Sequence, residues 1–543
     1  MKTIFKMFKK SRLLWAGAFG LLAISACTKE FNALNTNPNL ITKAQAAGDF
    51  EYIGGFFPVM QQNIFSPVDW IYQVQQNLNA DVFSGYMMSG DPFGGPNNTN
   101  YYMKTGWNYY AFDQAYNNIM NGWYNVKTLA RPQDSHFVAL ALILKVEGLH
   151  RVTDIYGPLP YSKYKTSSFV IPYDSQQAIY TQFFAELDTA VNTLTAFVKA
   201  NPGSKPFAPF DYIYGGDYKQ WLKFANSLRL RLAMHIVYAD PTLAQQQAEK
   251  ACADPNGLLS TVADGAYLVN GAQPSGVSFS YQNPIWNITN AYGDIDMGAP
   301  MESILGGYND PREANYFTVS TAVPGTEKGI RNGVNITSGS QYAAFSLIND
   351  NAGTPIQIMV ASESYFLRAE GALRGWNMGA GTAQSFYEAG VTLAFQEKGL
   401  TVPAGYLTNS TSTAAPYVDP TNGANNVNAG SPYLNNITIA WNSGDTFEHN
   451  LQRIITQKWI AMFPDGQEAW TEFRRTGYPA LFPVVVNNSG GTISTTDFIR
   501  RLPFPSDEVT NNPSGVASGI SELGGPDVGG TKLWWDKNPN QPY

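Results

Sequence analysis

Charge is scarce in this 543-residue chain: Asp, Glu, Lys and Arg together make up 14%, against roughly 25% in a typical soluble domain. Positive charge is the scarcer sign. Thirty-five Lys and Arg against 42 Asp and Glu leave −7, with a pI near 5.3, which argues against a nucleic-acid partner. Histidine and cysteine are rarer still. His136, His150, His235 and His449 lie far apart in the sequence with no HExxH spacing, so a zinc site is not expected. Cys27 and Cys252 provide no CxxC. Cys252, in AEKACADPNG, reads as a buried helix-end thiol rather than a nucleophile. There is also no Gly-Lys phosphate loop and no GxSxG elbow.

The longest early apolar run, Leu13 to Ile24, is too short to span a bilayer. It follows Lys2, Lys6, Lys9, Lys10 and Arg12 and ends in Ile24-Ser25-Ala26-Cys27. This is the layout of a secretory leader, and its end resembles a bacterial lipobox. Residues 1–26 are therefore expected to be a lipoprotein signal peptide, with Cys27 acylated as the mature N-terminus. Removing the five leader cations takes the charge from −7 to −12. The polar stretch 27–43, including NTNPN, reads as a tether.

The remainder, 44–543, alternates helical periodicity with long loops. In DSHFVALALILKVEGLHRVTDIYGPLPYSKY, Phe137, Leu140, Ala141 and Leu144 form an apolar stripe that Val152 and Ile155 resume. Asp134 or Ser135 offers an N-cap oxygen, and Gly157-Pro158 stops the helix. Further helices are expected over 115–129, 174–200, 217–238, 361–376, 380–398, 448–463 and 466–475, and no clear helix beyond Gly477. Loop material is expected near 80–110, 255–355 and 405–444. The first of these carries a dense set of aromatic rings, which argues against disorder. Helix pairs with short connections suggest a mainly α, tetratricopeptide-like scaffold.

The segment TDIYGPLPYS (Thr153 to Ser162) resembles the hallmark of SusD/RagB-like outer-membrane lipoproteins. So do GGDYKQWLKFANSLRLRLAMHI, with His235 where that family usually has Arg, and ESYFLRAEGALRGW, with Gly371 for Ala. NDPRE (Asn309 to Glu313), IITQKWIAMFPDGQEAWTEFRRTGYPAL and RRLPFPSDEVTNN complete an ordered series across nearly all of the mature chain. The resemblance implies one SusD-like unit with helix-pair repeats, lipid-anchored in the outer membrane and facing outward. It further implies capture of oligosaccharide or another nutrient for a SusC-like, TonB-dependent transporter, without catalysis.

Saccharide capture needs flat apolar faces for C–H-rich rings and directional polar groups at their rim. Two loops hold that mixture. From the first, Asp81, Tyr86, Tyr101, Tyr102 and Trp107 are candidate ligand-binding residues; from the second, Tyr281, Asn283, Trp286 and Tyr292. No cofactor is expected, and Asp294 with Asp296 is a weak calcium motif. Two other functions compete with capture. One is a surface glycoside hydrolase using Glu468 and Glu472; the other is a structural transporter lid without ligand specificity. Arg474-Arg475 and Arg500-Arg501 offer charge for an anionic substrate but read better as salt-bridge partners of Glu468, Glu472 or Asp507, and the two glutamates read as structural on their helix.

Overall fold

The computed structural model of the chain describes residues 49–166, 170–269, 271–272, 278–279 and 281–542. The leader, Cys27 and the whole 27–43 tether lie outside them. Helix α1 (Phe57–Gln62) precedes α2 (Asp69–Tyr72), which widens directly into a π-helical stretch, Gln73–Asp81. Helix α3 (Tyr110–Gln114) likewise passes through a π-helical turn, Ala115–Met120, into α4 (Asn121–Leu129). Four long helices follow: α5 (Ser135–Tyr156), α6 (Gln176–Ala200), α7 (Tyr218–His235) and α8 (Pro241–Ala253). After the short α9 (Pro284–Asn287) come α10 (Ala299–Tyr308) and α11 (Arg312–Tyr316). The remaining helices are α12 (Ala361–Leu373), α13 (Ala383–Glu397), α14 (Phe447–Met462), α15 (Gly466–Thr476), α16 (Ser506–Asn511) and α17 (Pro513–Leu523).

Strands are minor. β1 (Met87–Met88) pairs with β5 (Asp296–Met297), β2 (Ala266–Leu268) with β6 (Ile356–Met359), and β3 (Gly271–Ala272) with β4 (Ser278–Phe279), all antiparallel. Consecutive helices pack as pairs: α4 on α5, α5 on α6, α6 on α7, α7 on α8, α12 on α13 and α14 on α15. This is the mainly α, tetratricopeptide-like scaffold that the periodicity suggests. Residues Ile53–Tyr543 form one compact unit; of the unit before it, Met1–Tyr52, only 49–52 are described. No helix among the described residues is long and apolar enough to cross a membrane.

Helix α5 departs from simple amphipathicity, because it is buried on all sides from Ala139 to Tyr156. Gly148 permits the close approach of the π-helical turn, since a Cβ there would sit 2.4 Å from Ile119 Cδ1. Asp134 precedes the helix but spends its carboxylate on Arg131 at 2.9 Å instead of capping the first turn. Gly157, at φ +88°, ends it, a conformation that costs glycine little.

Charges on α5 and its neighbours survive burial by pairing. Arg151 bonds Glu147 and Asp465, each at 2.9 Å, and Arg231 bonds Glu363 at 2.6 Å. Lys458 lies 3.2 Å from both Glu468 and Glu472. Arg475 joins Glu370 at 2.7 Å to Glu472 at 2.5 Å. Every one of these side chains is buried. Removing one member of such a pair strands its partner and costs about 3–5 kcal/mol. Arg474 differs from the expectation: its guanidinium donates to the carbonyls of Asp154 and Arg500 and lies 3.5 Å over the Trp470 ring. Arg500 and Arg501 pair with Asp536 and Asp527, not with Asp507.

Five helices stand where the sequence reads as loop: α9, α10 and α11 lie inside 255–355, and α16 and α17 follow Gly477. PSGVASGISEL has weak helix propensity, but Gly515, Val516 and Gly519 are buried, and Gly519 leaves room for the Tyr173 and Phe504 rings. Tertiary packing decides this element. The 405–444 segment is partly folded onto α10, through the buried Ala299, Tyr417, Val427 and Phe482 and through Ser303 Oγ donating to Ala415 O at 2.5 Å.

Candidate functional site

Pro67-Val68 forces extended chain before α2, and Trp70 then emerges on the first helical turn with 49% of its surface exposed. Its ring meets Tyr110 edge-on, centroids 5.6 Å apart, and Tyr110 stacks on Tyr109 at 4.1 Å. The π-helical stretch behind Trp70 is buried from Gln73 to Asp81, which fixes the base on which these rings stand.

Helix α9 packs against α2 and brings the second loop to the same face. Asn287 Nδ2 donates to Asp69 Oδ2 at 3.2 Å, and the Tyr292 hydroxyl bonds Asp69 as well. Gln73 Nε2 donates to Asp294 Oδ2 at 2.7 Å. Tyr292 is 45% exposed and Trp286 is half-buried. The outcome is an outer face on which Tyr292, Trp70, Tyr110 and Tyr109 border Asp69, Gln73 and Asp294, with Trp286 next to Asn287 on α9. Beyond Tyr109, Trp107 is half-buried, edge-on to Phe93 at 5.2 Å with Lys104 Nζ 4.8 Å over its ring, and Tyr102 is 50% exposed.

Five of the nine ligand candidates read from sequence are structural. Asp81 is fully buried and accepts from Tyr72 Oη at 3.1 Å, Gln76 Nε2 at 2.9 Å and Asn77 Nδ2 at 3.2 Å. Burial without a cation raises its carboxyl to about 7. Tyr86 is buried against Trp459 and Phe463, its hydroxyl donating to Trp459 O. Tyr101 is buried against Phe83. Tyr281 Oη donates to Leu268 O at 2.8 Å and accepts from Ile356 N–H at 3.2 Å. Asn283 caps α9, its Oδ1 accepting from Ile285 N–H at 2.9 Å and Trp286 N–H at 3.3 Å, while Nδ2 donates to Thr354 O. Both hold the second loop in place from beneath. Tyr102, Trp107, Trp286 and Tyr292 remain accessible. Trp70, Tyr109 and Tyr110 were missed as candidates; Trp70 merges into an apolar helical stretch, and only the Pro67 break before it hints at exposure.

A cavity of about 490 Å³ lies behind α9. Its charged wall groups are engaged, Glu397 by Ser362 and Lys398 by Gln357 and the Phe463 carbonyl. The hydrolase reading loses its carboxylates, because Glu468 and Glu472 are buried and ion-paired within the scaffold. His150 and His235, distant in sequence, come together around Asp154 with ligand atoms within 4.8 Å. His235 bonds Asp154 through Nδ1 at 3.4 Å and Glu468 through Nε2 at 3.0 Å, and these carboxylates raise it to about 9. A doubly protonated ring has no lone pair for a metal. Asp294 is bonded by Gln73, and Asp296 is buried on the Gly90 amide. The Cys252 thiol is pushed up to about 11 by burial, which suits an inert role.

Over residues 33–536 the chain matches the SusD-like family, described as SusD and RagB outer membrane lipoprotein. No curated protein matches it. Among solved structures it is similar to a chitin-binding SusD homologue from Flavobacterium johnsoniae, at 48% identity and a TM-score of 0.86, covering 90% of this chain and 99% of that one. A SusD homologue from Bacteroides vulgatus shares 36% identity with a TM-score of 0.85, over 91% and 99% of the two chains. A SusD-like protein from Bacteroides thetaiotaomicron shares 32% with a TM-score of 0.82, over 90% and 100%.

Proposed function

The chain belongs to the SusD-like family of non-catalytic outer-membrane lipoproteins, and from that premise we propose that its outer aromatic face captures oligosaccharide at the cell surface. The supporting observation is the run of accessible rings from Tyr292 through Trp70 to Tyr110 and Tyr109, interleaved with Asp69 and Asp294, with the half-buried Trp286 on the neighbouring α9. Sugar rings stack their C–H faces on such side chains while carboxylates and amides accept or donate to hydroxyls. The relative at 48% identity is chitin-binding, so N-acetylglucosamine oligomers are the first ligands to try. Captured glycan passes to a SusC-like, TonB-dependent transporter, with Cys27 acylation holding the protein beside it.

Retention on insoluble chitin and titration with chito-oligosaccharides, analysed for released products, test the binding claim. Reversible binding of unchanged oligomer is the expected result. Turnover of the glycan, or no binding by any member of a broad glycan panel, overturns it. Co-purification with a large outer-membrane transporter in mild detergent tests the partner, and recovery only as a free monomer at native expression refutes it.

A further inference from the structure

A second cavity, of about 390 Å³, opens beyond Tyr109 between α3, the Pro160–Tyr164 loop and α16, within the size range of small-ligand sites. Its apolar wall is aromatic. Phe112 stacks on Tyr116 at 4.2 Å, Tyr164 lies tilted 5.9 Å from Tyr116, and Tyr109 stands at the rim. Its charged groups are all acidic: Asp113, Asp507 and Glu508, with no Lys, Arg or His among the lining residues. Their hydrogen-bond partners are neutral. Asp113 accepts from Asn117 at 2.6 Å, Glu508 from Tyr173 Oη at 2.8 Å, and Asp507 from Ser506 at 3.4 Å. Lys165 is nearby: it bonds Asn121 at 2.6 Å and lies over the Tyr124 ring at 4.6 Å and the outer Tyr164 ring at 5.7 Å, but it is not itself a lining residue.

Chemistry narrows the occupant. Uncompensated carboxylates select a cation, and rings add cation–π attraction. Burial, together with the neighbouring Asp507 charge, holds the Asp113 carboxyl above its usual range. A bare metal ion fits poorly. The carboxylate oxygens here are not among the described clusters whose ligand atoms lie within 4.8 Å of one another, so they are too dispersed to close on a small ion. An ammonium carried on a ring-shaped body satisfies acids and rings together.

We propose that this cavity is a second saccharide subsite that takes an amino sugar with a free, protonated amine. It adjoins the outer face through Tyr109, which stacks on Tyr110. The proposal deepens the glycan-capture reading and rests on it for the polymer class, though not for the cavity's preference for cations.

The test is calorimetric titration of the purified protein at about pH 6, where amines are protonated. The probes are a β-1,4-linked glucosamine tetramer, its fully N-acetylated counterpart and glucosamine monomer. The expected result is about tenfold tighter binding of the free-amine tetramer, an advantage that shrinks at high salt. Asp113→Asn with Asp507→Asn should abolish that advantage, whereas Trp70→Ala should weaken both tetramers and preserve their ratio. Asp507 lies exposed on α16, so Asp507→Asn alone serves if the double variant folds poorly. Equal affinities in the wild type, or an advantage unchanged in the Asn variants, overturn the proposal. Failure of both tetramers with retained, Asp-dependent binding of the monomer would instead refute the outer face and leave the cavity standing.

Discussion

Replacing Trp70 with alanine separates a binding ring from a packing ring. About half of this side chain already faces solvent, and its ring contact described here is edge-on to Tyr110 at 5.6 Å. Such a contact contributes about 0.5–1.5 kcal/mol, so Trp70→Ala should cost about 1 kcal/mol of stability. In a protein of this size that shifts the melting temperature by only a few degrees. Trp459 provides the contrast: it is fully buried, packs on Tyr86 and donates Nε1–H to Ser84 O at 2.9 Å. Trp459→Ala should cost about 3–5 kcal/mol.

Binding should respond in the opposite order. Loss of a stacking ring removes about 1–3 kcal/mol, by analogy with stacked bases, or roughly fivefold to hundredfold in Kd. Titration of chito-oligosaccharides into Trp70→Ala and Trp286→Ala, beside thermal melts, measures both quantities on the same samples. The reasoning predicts weakened binding at nearly native melting temperature for Trp70→Ala. Wild-type affinity in both variants would place the ligand elsewhere. Early melting with normal affinity below the transition would make Trp70 a packing residue and refute the assignment.

His235 is raised to about 9 by Glu468 and Asp154, so the protonated ring stabilises the fold. That contribution is fully present below the unfolded value near 6.5 and is lost as pH rises through about 9. Wild type should therefore lose on the order of 3 kcal/mol across that window relative to His235→Arg, measured by denaturant unfolding at each pH; parallel profiles refute the protonated assignment. Gly466→Ala would set a Cβ 2.5 Å from Asp81 Cα, where backbone cannot yield, and should cost at least about 1–3 kcal/mol in the same assay. Cys27→Ala should release the protein from the outer membrane, because acyl chains supply the stable hold; unchanged membrane retention on fractionation counts against the lipobox.

The scaffold was legible because its signals are local. The stripe on α5 and the stop at Gly157-Pro158 operate within a few residues of their effect. Helix α17 was not legible, since its small, glycine-rich sequence becomes helical through the room it leaves for Tyr173 and Phe504. The same distinction governs the site. Tyr86 and Tyr292 occur in similar polar, glycine-bearing loops, yet one is sealed against Trp459 and the other stands in solvent beside Asp69. Which outcome applies depends on α14 and α2, hundreds of residues apart in sequence. Composition identifies the two loops; only their placement against the helices tells ring faces from ring cores.

The chain's shortage of charge also acquires a physical meaning from where its charges lie. Arg151, Arg231, Lys458 and Arg475, with Glu147, Glu363, Glu370, Glu468 and Glu472, are committed to buried pairs between α5, α7, α12, α14 and α15. A buried pair adds less net stability than its distances suggest, because desolvation offsets the attraction, but it strongly penalises any helix register that leaves a partner unpaired. The scaffold thus holds one arrangement of its helix pairs, and α2 packs rigidly on it through the buried π-helical stretch. Under the proposed capture role, rings standing on such a base would lose little freedom when a sugar stacks on them, which limits the entropic cost of binding. A flexible loop with the same aromatic composition would bind more weakly, so on that reading the ionic network deep in the fold bears on the affinity of the outer face.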